Sequence, residues 1–145
     1  MIVPDVNILV HAHNVHSPDH TQVKAFWHGA LVGSRPVGLS WVAILGFLRI
    51  TTHRSIFKEP LPVTTAARSI RGWLSLPNVE ILTPGERHAE IMLGLIEKLG
   101  TAGDLTTDAH LAALAIEYHA ELVSTDADFA RFRGLRWFNP TEVRK

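Results

Sequence analysis

Short apolar runs alternate along this chain with longer segments in which apolar residues recur every three or four positions. The short runs are typical of buried strands, and the longer segments are typical of helices with one apolar face. The predicted strands are a first strand that ends at Asp5 and the segments 36–39, 79–82, 121–124 and 136–138. The predicted helices are the segments 7–13, 18–32, 41–50, 65–76, 86–99 and 109–116. This alternation of strands and helices predicts an α/β fold, a parallel sheet with helices on both faces.

Polar residues mark several of the predicted helix ends. Ser17 is a candidate N-cap for the second helix, with Pro18 at its first position. Ser40 is a candidate N-cap for the third helix, and Asp108 is one for the last. Because no repeat, low-complexity segment or linker interrupts this pattern, a single domain over residues 1–145 is expected.

Composition narrows the class of protein. The chain has 145 residues, of which 46% are hydrophobic, and it contains no cysteine. Disulfide frameworks, thiolate metal sites and cysteine nucleophiles are therefore excluded. No stretch approaches the roughly 18 uninterrupted apolar residues of a membrane span, and the first residues lack the basic region of a signal peptide. A soluble, cytoplasmic protein without a membrane partner is expected.

The formal net charge of zero argues against a dedicated high-affinity nucleic-acid binder, which usually carries a clear basic excess. Local basic groups are still present. Arg49, Arg54, Arg131 and Arg133 are candidates to bind the phosphates of a nucleic acid. The alternative for Arg49 and Arg54 is a solvated helix end that complements the helix dipole.

Three aspartates fall at predicted strand ends or helix starts: Asp5, Asp108 and Asp126, with Asp128 two residues further on. Ligands of open parallel α/β sheets bind outside the carboxyl ends of the strands. Each aspartate alone could simply cap a helix. Together, however, converging carboxylates repel one another, and a hard divalent cation relieves that repulsion. Oxygen-only ligands select Mg²⁺, with Mn²⁺ as a substitute, over zinc.

Neighbouring polar residues could support such a site. The amide of Asn7 is a candidate to orient Asp5 or a water molecule, and the hydroxyl of Thr107 or Thr125 could do the same. A carboxylate-bound Mg²⁺ lowers the pKa of a bound water and stabilises charge on a phosphodiester. The alternative of a phosphatase with an aspartyl-phosphate intermediate is less favoured. Such an enzyme needs a general acid two residues after Asp5, and that residue is Asn7.

Three blocks of the chain resemble PIN-domain proteins, specifically the VapC toxins of bacterial type II toxin–antitoxin systems. The blocks are residues 3–7 (VPDVN), 107–115 (TDAHLAALA) and 124–132 (STDADFARF), and the segments 41–49 and 134–140 are similar to the family as well. The resemblance covers essentially the whole chain in the right order. It implies one PIN-like three-layer domain, with a central parallel sheet of four to five strands and helices on both faces.

The same resemblance implies an activity and partners. VapC-type toxins are Mg²⁺-dependent endoribonucleases that cut selected RNAs, often tRNA or ribosomal RNA, and so stop translation. A cognate VapB-type antitoxin holds them inactive, and they commonly form homodimers. By motif position, Asp5, Asp108 and Asp126 would coordinate the metal, with Asp128 as an auxiliary ligand.

The chain departs from the family pattern at one place. The family usually has a glutamate in the helix after the second strand, and in the segment 40–49 (SWVAILGFLR) that position is Gly46. A missing carboxylate should weaken binding of a second metal or leave a single-ion site. Gly46 is also the main support for the alternative function, a catalytically weak or inactive PIN-fold module that binds RNA or protein.

Overall fold

The computed structural model describes residues 1–142, and within them the chain forms five strands, six α-helices and two short 3-10 helices. The strands are β1 (Ile2–Pro4), β2 (Val37–Ser40), β3 (Val79–Leu82), β4 (Glu121–Val123) and β5 (Arg136–Phe138). The α-helices are α1 (Val6–His13), α2 (His20–Val32), α3 (Trp41–Thr51), α4 (Val63–Leu74), α5 (His88–Leu99) and α6 (Thr106–Glu117). The 3-10 helices are Gly103–Leu105 and Ala127–Arg131. No α-helix in the described part of the chain is long and apolar enough to cross a membrane.

The five strands form one parallel sheet in the order β3-β2-β1-β4-β5. Strand β1 is central, and its last residue, Pro4, is paired with Val123 of β4. Every residue of β1 and β2 is buried, as expected for strands covered on both faces. The predicted α/β fold with a parallel sheet of four to five strands is confirmed, and the sheet has five. The carboxyl ends of all five strands therefore meet at one edge.

Two apolar clusters lie on opposite faces of this sheet, and consecutive strand residues contribute to different clusters because side chains alternate along a strand. Ile2 belongs to one cluster and Val3 to the other. Helices α1 to α4 cover the first face, where Trp27, Phe47 and Trp73 are buried. On the second face lie α5 and α6, with the buried α6 side chains Ala109, Leu111, Ala112, Ala113, Leu114 and Ala115. The small residues of α6 allow its backbone to pack closely on the strands.

Helix boundaries differ from the sequence prediction where a turn intervenes. Helix α2 begins at His20, not at Pro18, because Ser17 forms a turn in which its hydroxyl accepts a hydrogen bond from the amide of Asp19 at 3.2 Å. Ser40 is the N-cap of α3, as predicted, and accepts from the amide of Ala43 at 3.0 Å.

Helix α6 begins earlier than the sequence suggests. The 3-10 helix Gly103–Leu105 runs directly into it, so its first residue is Thr106 and Asp108 lies within the first turn. The alternative in which Asp108 simply caps this helix is therefore wrong. Because its carboxylate does not cap the helix, it is available for other interactions.

Candidate metal centre

Asp5 and Asp126 stand side by side at the carboxyl edge of the sheet. Asp5 directly follows β1, and Asp126 follows β4 after two residues. The two strands are parallel neighbours, and the amide of Asp5 still donates a hydrogen bond to the carbonyl of Val123 at 2.9 Å. The expectation that these aspartates meet at one sheet edge agrees with the structure, although they are separated by more than a hundred residues in sequence.

The carboxylate of Asp5 is buried, with 5% of the residue exposed, and both of its oxygens accept hydrogen bonds. Oδ1 accepts from the amide of Val6 at 2.7 Å, which makes Asp5 the N-cap of α1. Oδ2 accepts from the hydroxyl of Ser124 at 2.8 Å. Burial raises the pKa of Asp5, the hydrogen bonds from Ser124 and Val6 oppose that rise, and the charge of Asp126 adds to it. Asp5 is therefore both a cap and a member of an acidic site.

Ser124 connects the residues around Asp5, and sequence reasoning did not single it out. Its fully buried hydroxyl donates to Asp5 and accepts from the side-chain amide of Asn7 at 2.9 Å and from the backbone amide of Asp126 at 3.0 Å. One donated and two accepted bonds use the whole capacity of a hydroxyl. The available sequence signal was a serine directly after the apolar run of β4, at the edge where the aspartates lie.

Asn7 bridges the two strand ends behind Asp5. Its Nδ2 donates to Ser124, and its Oδ1 accepts from the backbone amide of Thr125 at 3.3 Å. This arrangement fixes the orientation of the Asn7 amide relative to Asp5 through one shared hydroxyl. The hydroxyls of Thr107 and Thr125 make no hydrogen bond within residues 1–142; Thr107 is exposed and Thr125 half-buried. The supporting roles of all three remain predictions.

Asp108 faces the other aspartates from the first turn of α6. Its pKa is raised from 3.8 to about 6, first by burial and then by the negative charges of Asp5, Asp126 and Asp128, in that order. Asp128 lies in the 3-10 helix Ala127–Arg131, where its amide donates to Oδ1 of Asp126 at 2.9 Å. The structure thus brings all four predicted acids within electrostatic reach of one another.

A hard divalent cation fits the chemistry of these donors. All four side chains offer oxygen, the preferred donor for Mg²⁺ and Mn²⁺. Within residues 1–142 the two ion pairs, His16–Glu59 and Arg35–Glu121, lie elsewhere, so no basic side chain compensates the four aspartates. The described residues contain no ready-made group of three His, Cys, Asp or Glu side chains around one point. An ion held by three of these carboxylates would therefore require them to lie closer together than they do here.

A family model for the PIN domain matches residues 2–135 of the chain. The chain belongs to the PIN-domain family. It is 49% identical to ribonuclease VapC33 of Mycobacterium tuberculosis over 140 residues, which are 97% of this chain and 98% of the relative. Ribonuclease VapC37 of the same organism is 41% identical over 97% of each chain. Among solved structures, VapBC-1 of nontypeable Haemophilus influenzae matches with a TM-score of 0.69 at 18% identity, covering 98% of this chain and 100% of the other. The VapC-type resemblance inferred from the sequence is confirmed.

In this PIN domain, α1 and α3 are in close contact at Gly46, where the family resemblance predicted a fourth acid. A Cβ atom at Gly46 of α3 would lie 2.5 Å from Cγ2 and 3.3 Å from Cβ of Val6. Val6 is the residue whose amide binds Asp5. Since a β-branched side chain in a helix strongly prefers one rotamer, Val6 cannot easily turn away. The close approach of α1 and α3 thus gives a physical reason for glycine at position 46.

The four arginines proposed to bind RNA are exposed in the PIN domain. Arg49 lies in the last turn of α3, and Arg131 ends the 3-10 helix that carries Asp128. Arg54 follows α3, and Arg133 precedes β5. Their exposure leaves them available to a ligand, and their role in binding RNA remains a prediction.

Proposed function

We propose that this PIN domain is the toxin of a type II toxin–antitoxin system and acts as a metal-dependent endoribonuclease. The convergence of Asp5, Asp126 and Asp128 on Asp108 carries the proposal, because these charges and burial together raise the pKa of Asp108 to about 6. Mutually repelling carboxylates at the carboxyl edge of a parallel sheet form a site that a divalent cation would stabilise. The curated relatives VapC33 and VapC37 are both named ribonucleases.

The residues of the site have separate tasks in this proposal. Asp5, Asp108 and Asp126 would hold Mg²⁺ or Mn²⁺, with Asp128 as an auxiliary ligand. When bound, such an ion lowers the pKa of a water molecule and stabilises charge on a phosphate. Hydrolysis forms a phosphorus–oxygen bond to the water, breaks the bond to the leaving ribose oxygen, and transfers the proton lost by the water to that oxygen. Ser124 holds the carboxylate of Asp5 in one orientation throughout, since it is hydrogen-bonded to Oδ2.

Partners follow from the same family membership. We propose that the substrate is RNA, either tRNA or ribosomal RNA, and that its cleavage in the cytoplasm stops translation. We propose a VapB-type antitoxin as the inhibitor. The matched VapBC-1 structure supports the fold that such a complex requires. We also propose a homodimer. The α3 side chains Trp41 and Leu45 support it, since they lie one turn apart and are 52% and 59% exposed.

The decisive experiment maps new RNA 5′ ends after brief induction of the wild-type chain and of Asp5→Asn. We expect discrete cleavage sites with the wild type and none with Asp5→Asn or Asp108→Asn. Purified wild type should cut the same RNA in Mg²⁺ and lose activity in EDTA. If either variant folds and keeps full cleavage activity in Mg²⁺, the site assignment is wrong.

Gly46 and the absence of a ready-made three-ligand group in residues 1–142 favour a second candidate, a PIN-fold module that binds RNA or protein without cutting. Calorimetric titration with Mg²⁺ and Mn²⁺ near neutral pH separates the two. Saturable binding that Asp5→Asn removes would support the nuclease. No binding of either ion, together with intact RNA after induction, would support the module.

A further inference from the structure

A concave surface lies at the edge of the sheet opposite the four aspartates. It is a cavity of about 250 Å³ whose lining includes Arg87, His119, Gly134 and Arg136. Arg136 is the first residue of β5, so the cavity borders the amino ends of the strands. The aspartates follow the carboxyl ends. A ligand in this cavity would therefore be separated from the acidic site by the length of the strands.

Two arginines and one histidine line this cavity. Within residues 1–142 no acidic residue lines it. Three acids are adjacent in sequence to residues of the lining: Glu86, Glu117 and Glu121. Glu117 accepts hydrogen bonds from the backbone amides of Gly85 at 2.7 Å and Arg87 at 3.0 Å. Glu121 is the β4 partner of Arg136 and forms an ion pair with Arg35 at 3.3 Å. Arg136 also acts on the neighbouring amino terminus, because burial and then the charges of Arg35 and Arg136 lower the pKa of the Met1 amino group. Glu121, which is ion-paired with Arg35, opposes that effect and raises the same pKa. Arg35, Arg136 and the Met1 amino group thus lie near one another at this edge, with one carboxylate among them.

The two arginines reach the cavity from different elements and have different local contacts. Arg136 donates a hydrogen bond to the carbonyl of His119, which is beyond the end of α6. The side chain of Arg87, directly before α5, is exposed and makes no hydrogen bond or ion pair within residues 1–142. Guanidinium groups bind phosphate oxygens through two parallel hydrogen bonds. Two of them around one cavity of this size suit a phosphate group.

His119 takes a left-handed backbone conformation at the end of α6, beside the cavity. Helix α6 ends in a Schellman motif, in which the amide of His119 donates to Ile116 at 3.1 Å and that of Ala120 to Ala115 at 2.8 Å. His119 has a φ of 52°, a conformation that usually belongs to glycine at this position. A side chain here costs stability and adds an imidazole to the lining of the cavity. Such local strain tends to persist where a side chain serves a ligand.

We propose that Arg87, His119 and Arg136 form a binding site for a phosphate-type oxyanion at the amino edge of the sheet. The phosphate belongs either to an RNA backbone or to a free nucleotide or polyphosphate, which share the chemistry that these side chains recognise. The site is distinct from the aspartates. It extends beyond the proposed nuclease function and does not depend on it.

Calorimetric titration of the full chain with inorganic pyrophosphate, in EDTA and at low salt, tests the site without any contribution from metal. We expect saturable binding that Arg87→Gln weakens at least about tenfold, because one guanidinium is lost. The matched control is Arg68→Gln, an exposed arginine of α4, which should bind as the wild type does. His119→Gly should weaken binding while keeping or raising the melting temperature, since it removes the left-handed side chain.

Two results would overturn the proposal: no saturable binding below about 10 mM, or equal binding by the wild type and Arg87→Gln. The same titration with a single-stranded oligoribonucleotide in EDTA identifies the source of the phosphate. If Arg87→Gln weakens the binding of both pyrophosphate and the oligoribonucleotide, the phosphate is that of RNA. If it weakens only the binding of pyrophosphate, the ligand is a free phosphate compound. Asp5→Asn changes only the acidic site, so it should bind pyrophosphate as the wild type does. A failure of the nuclease hypothesis can therefore be told apart from a failure of the anion-site hypothesis.

Discussion

At the scale of single residues, the buried hydroxyl of Ser124 joins Asp5, Asn7 and Asp126 into one network. Ser124→Ala would leave the amide groups of Asn7 and Asp126 without their acceptor and Asp5 without a donor. An unsatisfied buried polar group costs about 1–3 kcal/mol, so we expect a loss of that size in the free energy of unfolding. Denaturant unfolding measures it. Ser34→Ala is the control, because Ser34 is exposed. If Ser124→Ala is as stable as the control variant, the network does not support the site.

The raised pKa of Asp108 predicts a specific pH dependence of stability. In the folded chain Asp108 keeps its proton up to about pH 6, whereas in the unfolded chain it loses it near its usual value of 3.8. Between these values the folded state binds more protons, so the contribution of this group to stability falls as the pH rises through the window. Asp108→Asn should therefore raise the melting temperature at pH 7 in EDTA and leave it nearly unchanged at pH 4. The half-buried carboxylate is partly screened by solvent, which limits the size of the effect.

Glu90→Gln on α5 is the matched control for Asp108→Asn, because its side chain is exposed and belongs to no acidic cluster. We expect its melting curve to follow the wild type at both pH values. A stabilisation of Asp108→Asn that is equal at pH 4 and pH 7 would show that carboxylate repulsion is not its cause.

The residue scale is also where sequence reasoning reached its limit. The three aspartates were identified from their positions after apolar runs, since strand ends and helix starts are visible in the local pattern. Ser124 was not identified in this way, because its partners Asp5 and Asn7 lie 119 and 117 residues away in the sequence. A serine after a strand has many ordinary explanations, and only the three-dimensional pairing of β1 with β4 gives it a role.

At the scale of elements, the contact between α1 and α3 depends on Gly46. Gly46→Ala would place a Cβ atom 2.5 Å from Cγ2 of Val6. Overpacking of this kind typically costs about 1–3 kcal/mol, and the better helix propensity of alanine offsets up to about 1 kcal/mol. We expect a net destabilisation in denaturant unfolding and weaker cleavage, because Val6 binds Asp5.

Two further variants test that steric explanation. Gly94→Ala in α5 is the matched control, since its added Cβ meets nothing within 4 Å, and it should stabilise by about 0.5–1 kcal/mol. Adding Val6→Ala to Gly46→Ala should recover part of the lost stability, because it removes the clashing methyl groups. Strictly additive effects of the two substitutions would show that Gly46 and Val6 do not interact.

Most elements could be predicted from the sequence, and their order in the sheet could not. Apolar periodicity located all five strands and six α-helices, with β3 at its predicted bounds. Turns caused the errors: the Ser17 turn shortened α2, and the 3-10 helix before Thr106 moved the start of α6. The order β3-β2-β1-β4-β5 depends on pairings between distant segments, such as Ile2 with Glu121, which no local pattern encodes.

At the scale of the whole molecule, the acidic site links segments from the beginning and the end of the chain. Asp5 follows β1, Asp108 lies on α6, and Asp126 follows β4. An ion bound by all three would be lost on global unfolding, so binding stabilises the entire fold by mass action. At a free concentration one hundred times the dissociation constant, the gain is about 2.7 kcal/mol.

We therefore expect Mg²⁺ or Mn²⁺ to raise the melting temperature of the wild type at pH 7.5, measured against NaCl of equal ionic strength. The rise should shrink at pH 5, because protons compete for Asp108, whose pKa is raised to about 6. In Asp5→Asn most of this rise in melting temperature should be lost. Glu90→Gln should keep it, since an exposed carboxylate on α5 takes no part in binding. Equal melting temperatures in MgCl₂ and NaCl would mean that the four aspartates hold no ion in the folded chain. Their mutual repulsion would then be an uncompensated cost, which is the outcome expected of a PIN-fold module that has lost its metal.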